Sequence, residues 1–396
     1  MAETIARGEL RSVGGSGRRF PVHLLRTYGM VLALILVWGV FAVVTNGVFI
    51  EPRNLSNLIR QTAVTGVLAV GMVMVIVAGQ IDLSVGSLVG ISGMVAVLVQ
   101  GSLHWGLVAS LLAGIFTGVL IGALQGALVA YGQIPSFIVT LGGLLAWRGA
   151  TKGVSSGNTY PVEIQAFKSV GQSYLSPSAA IVLAAACVAM VAWQAVRSNR
   201  ARRRGGLTAW GTGAMAVRIL GPALLVVMSV VVLSRYAGVP NPVVILLGIA
   251  LAGAFLMQNT TFGRYLYAIG GNSEAARLSG INIRSHVLTA FAILGALSGV
   301  AGIIYAARVG SAGPDAGTLL ELDAIAACVI GGASLMGGRG TVFGACLGAL
   351  FMSSLDNGMS LKNVPDFIQD IVKGGVLVTA VGLDVLGRRA RASFDS

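Results

Sequence analysis

Twelve apolar segments, most of them about as long as a bilayer's hydrocarbon is thick, follow one another along this 396-residue chain. They lie at 28–45, 60–79, 83–100, 106–130, 135–150, 178–196, 216–234, 242–258, 286–307, 321–336, 340–356 and 367–386. About 20 mostly apolar residues make one helical crossing. In lipid the backbone finds no water, so only helices and closed barrels cross it. Aromatic residues make up 7% of the chain, too few for a barrel with aromatic girdles. The expected class is therefore all-α, a polytopic membrane protein with about 12 transmembrane helices. Several runs are short or broken by Gly, which leaves room for re-entrant half-helices. The 56 glycines fit this reading, because small residues let helices approach closely where the hydrophobic effect no longer drives association.

The net charge of +13 is carried between the apolar runs. Such cations read as topology signals, and nucleic acid is not expected as a partner. Arg7, Arg11, Arg18, Arg19 and Arg26 precede the first run. Arg197, Arg200, Arg202, Arg203, Arg204 and Arg218 follow the sixth, Arg264, Arg277 and Arg284 follow the eighth, and Arg388, Arg389 and Arg391 follow the last. With an even number of crossings all four groups lie on one side, which the positive-inside bias makes the cytoplasm. The segment 151–177 on the other side is polar and nearly uncharged. The first run, Tyr28 to Val44, continues into TNGVFIEP without a small-x-small cleavage site and reads as a retained anchor.

Catalytic and metal chemistry find no foothold in the pattern. Cys187, Cys328 and Cys346 sit inside apolar runs as packing residues, and His23, His104 and His286 are scattered. The chain has no Gly-x-x-x-x-Gly-Lys-Ser/Thr phosphate loop, so any ATP hydrolysis belongs to a partner.

Acidic residues near membrane depth are costly unless they face water, a partner or a helix start. Asp82, Glu321, Asp323 and Asp356 are such residues. Asp82 and Asp323 read either as caps of helix starts or as lining of a path, and Gln80, Ser84, Ser87, Asn357 and Ser360 are further path candidates. IDLSVGSLVG from Ile81 and LDAIAACVIGG from Leu322 share their Asp-to-Gly separation. The match is either chance or an inverted-topology repeat.

The segment Gly263–Ile283, GRYLYAIGGNSEAARLSGINI, is too polar to span and too patterned for a linker. Asn272 or Ser273 can cap a short helix through SEAARL, with Glu274 at its positive start and Arg277 one turn later. The Gly pair before it and the Ser-Gly after it allow sharp turns. Physics alone leaves two readings open, a presented surface helix and an ordinary solvated loop.

That loop, with IDLSVGS (Ile81–Ser87), VPNP (Val239–Pro242), ELDAIAACVIGG (Glu321–Gly332) and LDNGMS (Leu355–Ser360), closely resembles the ribose/xylose-type permeases of ABC importers. The resemblance runs from about 28 to 386, and NLSNLIRQTAVTGVLAVGMV and SLDNGMS are similar to stretches of the xylose-transporting members. It implies a cytoplasmic basic tail 1–27, a permease domain 28–386 and a cytoplasmic tail 387–396. A ten-helix core would carry an inserted helix pair at 178–237. The coupling loop 263–284 would dock on an ATPase subunit through Gly270, Gly271, Asn272, Glu274, Arg277, Leu278 and Gly280. The resemblance further implies a homodimer in the bacterial inner membrane, with both termini inside and a periplasmic sugar-binding protein outside. No cofactor is expected on this chain, with ATP and Mg on the partner. The expected cargo is a monosaccharide, D-xylose first. Rivals are ribose, galactose, a signalling furanoside or a branched-chain amino acid. Readings from other classes are an ion-coupled secondary transporter and a membrane-embedded enzyme.

Overall fold

The computed structural model describes residues 22–392, with side chains for 29–382. Most of the basic tail 1–27, and residues 393–396, lie outside the described residues. Fifteen α-helices account for most of the described chain. They are α1 (Val22–Val44), α2 (Pro52–Val77), α3 (Val85–Gly101), α4 (Leu107–Ala130), α5 (Ser136–Val154), α6 (Gln165–Gln172), α7 (Pro177–Arg204), α8 (Thr212–Ser234), α9 (Asn241–Asn259), α10 (Thr261–Gly271), α11 (Ser273–Leu278), α12 (Ile283–Val309), α13 (Leu320–Ile330), α14 (Val342–Leu361) and α15 (Asp366–Ala392). Among the described residues six of them, α2, α4, α7, α8, α9 and α12, are long and apolar enough to cross a bilayer. This is a multi-pass helical protein.

Helix α2 runs through the centre. Its core stretch from Leu68 to Val77 is buried on every side, as expected of a helix apolar all round. Around it pack α8, α9, α10, α12, α13 and α14. The tightest seam joins α4 to α12. Gly114, Gly118, Gly122 and Gly126 repeat every fourth residue and present one stripe of bare backbone. A Cβ at Gly118 would collide with the Gly295 carbonyl, and one at Gly122 with the Phe291 carbonyl. The same device joins α12 to α3, where Gly302 meets Gly93.

The expected run 321–336 is helical only over the 11 residues of α13. At 1.5 Å per residue that rises about 16 Å, roughly half a membrane. The Gly-rich segment after it, GGASLMGGRG, cannot continue a helix, because Gly332, Gly337, Gly338 and Gly340 all take positive φ.

The polar segment 151–177 is more built than its composition suggested. Its strand β1 (Tyr160–Pro161) pairs antiparallel with β2 (Ser311–Ala312) after α12. Gln100 Oε1 accepts the Glu163 and Ile164 N–H groups at 3.1 and 3.0 Å, and Phe167 of α6 is fully buried. Cys328 lies buried in the core with Cys346 half-buried, and Cys187 is on α7.

Candidate functional site

Two features stand out, a polar seam inside the bundle and a helical knob at the end where α2 stops.

The seam begins where α2 breaks. Residues 78–84 leave the helix, and Asp82 is buried in this lead-in to α3. Its Oδ1 accepts the Ser84 N–H at 2.7 Å and the Ser84 hydroxyl at 2.6 Å. Ser84 Oγ also lies 2.9 Å from Gln125 Oε1 of α4, and Ser87 Oγ donates to the Ser84 carbonyl at 2.7 Å. Gln80, half-buried, lies just before this cluster. The Gln125 amide nitrogen lies against Gly143 of α5, with the Trp147 indole N–H beside it. Further along, Glu321 of α13 reaches Gly86 of α3 and pairs with Arg148 of α5 at 3.4 Å. Four buried polar atoms along this seam have no hydrogen-bond partner among the described residues. They are Asp82 Oδ2, Gln125 Nε2, Trp147 Nε1 and Glu321 Oε2. Two donate and two accept. A group leaving such atoms unmet costs about 1–3 kcal/mol each, so the seam is built to be met by something.

The other acidic candidates gather elsewhere. Lys373 of α15 stands between Asp356 of α14, at 2.8 Å, and Asp323 of α13, at 3.5 Å. Asn357, one residue on from Asp356, pairs with Asn54 of α2 instead. Ser360 is exposed. Neither Asp82 nor Asp323 caps a helix as one reading had it. Ser84 holds the cap position of α3, and Leu319, with φ of 65°, holds that of α13. Asp323 and Glu321 lie inside the first turn of α13, where its dipole favours negative charge. The two matched motifs thus meet their helices in different register, because Asp82 precedes α3 while Asp323 is inside α13.

Sequence reasoning passed over Gln125, Trp147, Arg148, Lys373 and Asn54. A signal was available for two of them. Arg148 and Lys373 are lone cations inside apolar runs, and an ionisable residue there calls for a named partner.

The knob is α10 and α11. Asn272 caps α11, its Oδ1 accepting the Ala275 N–H at 3.0 Å. Glu274 and Arg277 form an ion pair at 2.6 Å on the exposed face. This pairing draws the Glu274 carboxyl below its ordinary value of 4.5. Ala276 is buried as the anchor, whereas Leu278 is 75% exposed. Gly280, at φ of 80°, turns the chain toward α12.

The Gly pair at 270–271 does not make the turn that its composition suggested. Both residues belong to α10, and Asn272 makes the break. Gly270 is there for contact, since a Cβ would run into the Val77 carbonyl at the end of α2 and lie 2.6 Å from the Gly338 N–H. The Gly338 N–H in turn donates to that Val77 carbonyl at 2.9 Å. The base of the knob is therefore fastened to the end of α2 and to the loop joining α13 to α14. Tyr267 Oη adds a bond to the Gly340 carbonyl at 2.7 Å. Met336, 72% exposed, stands on that loop beside a hollow of about 340 Å³ shared with Gly271.

Residues 54–381 match the family model described as branched-chain amino acid transport system / permease component. The chain belongs to this permease family. It is 46% identical over 366 residues to the xylose transport system permease protein of Escherichia coli K12, covering 92% of this chain and 93% of that one. The corresponding Haemophilus influenzae protein is 44% identical, with 92% and 97% covered. The ribose import permease protein of Escherichia coli K12 is 35% identical, with 93% and 97% covered. No solved structure matches the chain.

Proposed function

We propose that this chain is the membrane-spanning subunit of an ATP-driven importer that carries a monosaccharide, D-xylose first, across the inner membrane. The carrying observation is the 46% identity along 92% of the chain to a xylose transport permease, against 35% to a ribose permease. The seam supports a neutral, hydroxyl-rich cargo. Its unmet atoms include both donors and acceptors, and a sugar hydroxyl answers either.

In this reading two copies assemble with two ATPase subunits, which hold the ATP and Mg, and a periplasmic sugar-binding protein delivers the solute. Both termini face the cytoplasm. About twelve helices enter the membrane, ten as a core, with α7 and α8 as an inserted pair. The exposed Leu278, the Glu274–Arg277 pair, Asn272 and the glycines at 271 and 280 dock on the ATPase, while Gly270 faces inward against Val77 and Gly338. Closure of the ATPase pushes α11. Through Gly270 the push reaches Val77, and so the lead-in that carries Asp82. Through Gly338 it reaches the loop behind α13, and so Glu321. One displacement thus moves both walls of the seam, which is what alternating access requires. Gln80, Asp82, Ser84, Ser87 and Glu321 line the path. Asp323, Asp356 and Asn357 hold α13, α14 and α2 in place beside it.

The test is uptake into vesicles containing this permease, its ATPase and its binding protein. ATP-dependent xylose uptake unaffected by excess ribose is expected. Ribose uptake alone would move the solute, and uptake without the ATPase would replace the importer reading with an ion-coupled one.

A further inference from the structure

The hairpin of α7 and α8 takes no part in the seam or the knob. Between residues 177 and 238 the chain has seven arginines and no acidic residue or lysine. Four of them sit in the last five residues of α7, at 200, 202, 203 and 204, and Arg218 of α8 shares the Trp210 ring with Arg202. Five positive charges within two short helical stretches repel one another unless an anion joins them.

The geometry at the hairpin tip is ordered. Arg218 stacks on the Trp210 ring at 3.8 Å from its centroid, and Arg202 approaches the same ring at 5.2 Å. Trp210 is fixed by its N–H, which donates to Asn199 Oδ1 at 2.9 Å, and Arg202 Nε donates to the Thr208 carbonyl at 3.2 Å. Two guanidinium groups are thus held on one aromatic ring with no carboxylate on the hairpin to offset them. One turn nearer the apolar part of α7, Arg197 lies over Trp193 at 5.3 Å. It marks the polar mouth of a groove of about 1080 Å³ between α7 and α9. Away from Arg197 the groove is apolar, lined by Ala189, Met190, Leu251, Ala254 and Phe255, and beside Arg197 it is polar, lined by Gln194, Ser198, Gln258 and Asn259. Trp193 and Phe255 are exposed.

A groove that is apolar at one end and lined by amides, arginine and tryptophan at the other matches one kind of occupant in shape and charge. Acyl chains fill the apolar length, the indoles sit at headgroup level, and the arginines face the headgroup. We propose that the groove between α7 and α9, with Arg197 at its mouth and Arg202 and Arg218 on Trp210 at the hairpin tip, is a binding site for an anionic phospholipid. The lipid fills the gap between the hairpin and the core and neutralises the hairpin's charge.

Native mass spectrometry of the full-length permease in detergent, titrated with dioleoyl phosphatidylglycerol or dioleoyl phosphatidylcholine, tests it. Phosphatidylglycerol should bind on the order of 100-fold more tightly, about five-fold for each of three arginines. The Arg197→Gln, Arg202→Gln, Arg218→Gln triple variant should lose that preference while its melting in lipid-free detergent is unchanged. If the triple variant does not fold, the single Arg218→Gln should still lose about five-fold for the anionic lipid alone. Equal binding of the two lipids by the wild type overturns the proposal. So does a variant that keeps its preference but loses its ATPase partner on purification, which would assign the arginines to a protein surface.

Discussion

Asn54 on α2 and Asn357 on α14, 303 residues apart in the chain, exchange two amide hydrogen bonds, at 2.8 and 3.1 Å. Both side chains are buried. Asn54 also donates to the Phe49 carbonyl at 2.8 Å, which ties the pair to the turn between α1 and α2. Replacing either asparagine with Ala leaves the other amide stranded, at about 1–3 kcal/mol. The double replacement should cost clearly less than the two singles together, because no stranded group remains. Melting of the four proteins in detergent measures the cycle, and additive losses would remove the pair as a unit.

Lys373 holds two carboxylates at once. Lys373→Met should lower the yield of folded protein severely, since breaking a buried ion pair costs about 3–5 kcal/mol. Adding Asp323→Asn and Asp356→Asn should restore yield, because the stranded charges are then gone. Size-exclusion profiles compare the three. A Lys373→Met protein as stable as wild type would show that these charges reach water.

Gly118→Leu places a side chain where the Gly295 carbonyl now lies. The seam between α4 and α12 must open, at a cost of several kcal/mol, beyond the usual 1–3 for an overpacked core. Gly142→Leu is the control, because nothing lies near its Cβ position. Comparable melting temperatures for the two would contradict the packing described.

Gly270→Val should separate ATP hydrolysis from transport. Its side chain would wedge α10 away from Val77 and Gly338, while Leu278 and the Glu274–Arg277 pair stay on the surface. Reconstituted with its ATPase, this variant should keep the partner and its hydrolysis but take up little sugar. Normal uptake would mean that the push travels by another route.

Glu274→Arg should weaken ATPase binding without affecting insertion of the permease. The wild-type pair should be insensitive to pH in the ordinary range. Arg277 draws the Glu274 carboxyl below 4.5, so the folded state favours the ionised form. The stabilisation is complete above the unfolded value and is lost only as pH falls through the lowered one. ATPase affinity measured between about pH 5.5 and 8 should therefore not change through this pair. A step near pH 6 would point to a different group.

The chain's one-dimensional pattern determines a great deal here. The apolar runs and the lack of water in lipid impose helices, and each of the twelve runs contributes one, although the tenth stops at Ile330. Asn272 and the SEAARL stretch specify α11 locally, because a cap and an i,i+3 ion pair need only neighbours in sequence. What sequence spacing could not supply are the pairings between distant segments. Lys373 and Arg148 are silent until the bundle brings carboxylates to them. Gly270 reads as a turn until Val77 and Gly338 are seen pressed against its missing side chain. Ser84, Gln125 and Trp147 become a seam only when α3, α4 and α5 converge. In an apolar chain many helix packings bury similar surface, so the hydrophobic pattern is nearly indifferent among them. The choice rests on close backbone contact at glycines and on a few buried polar partners, and both are properties of the tertiary structure.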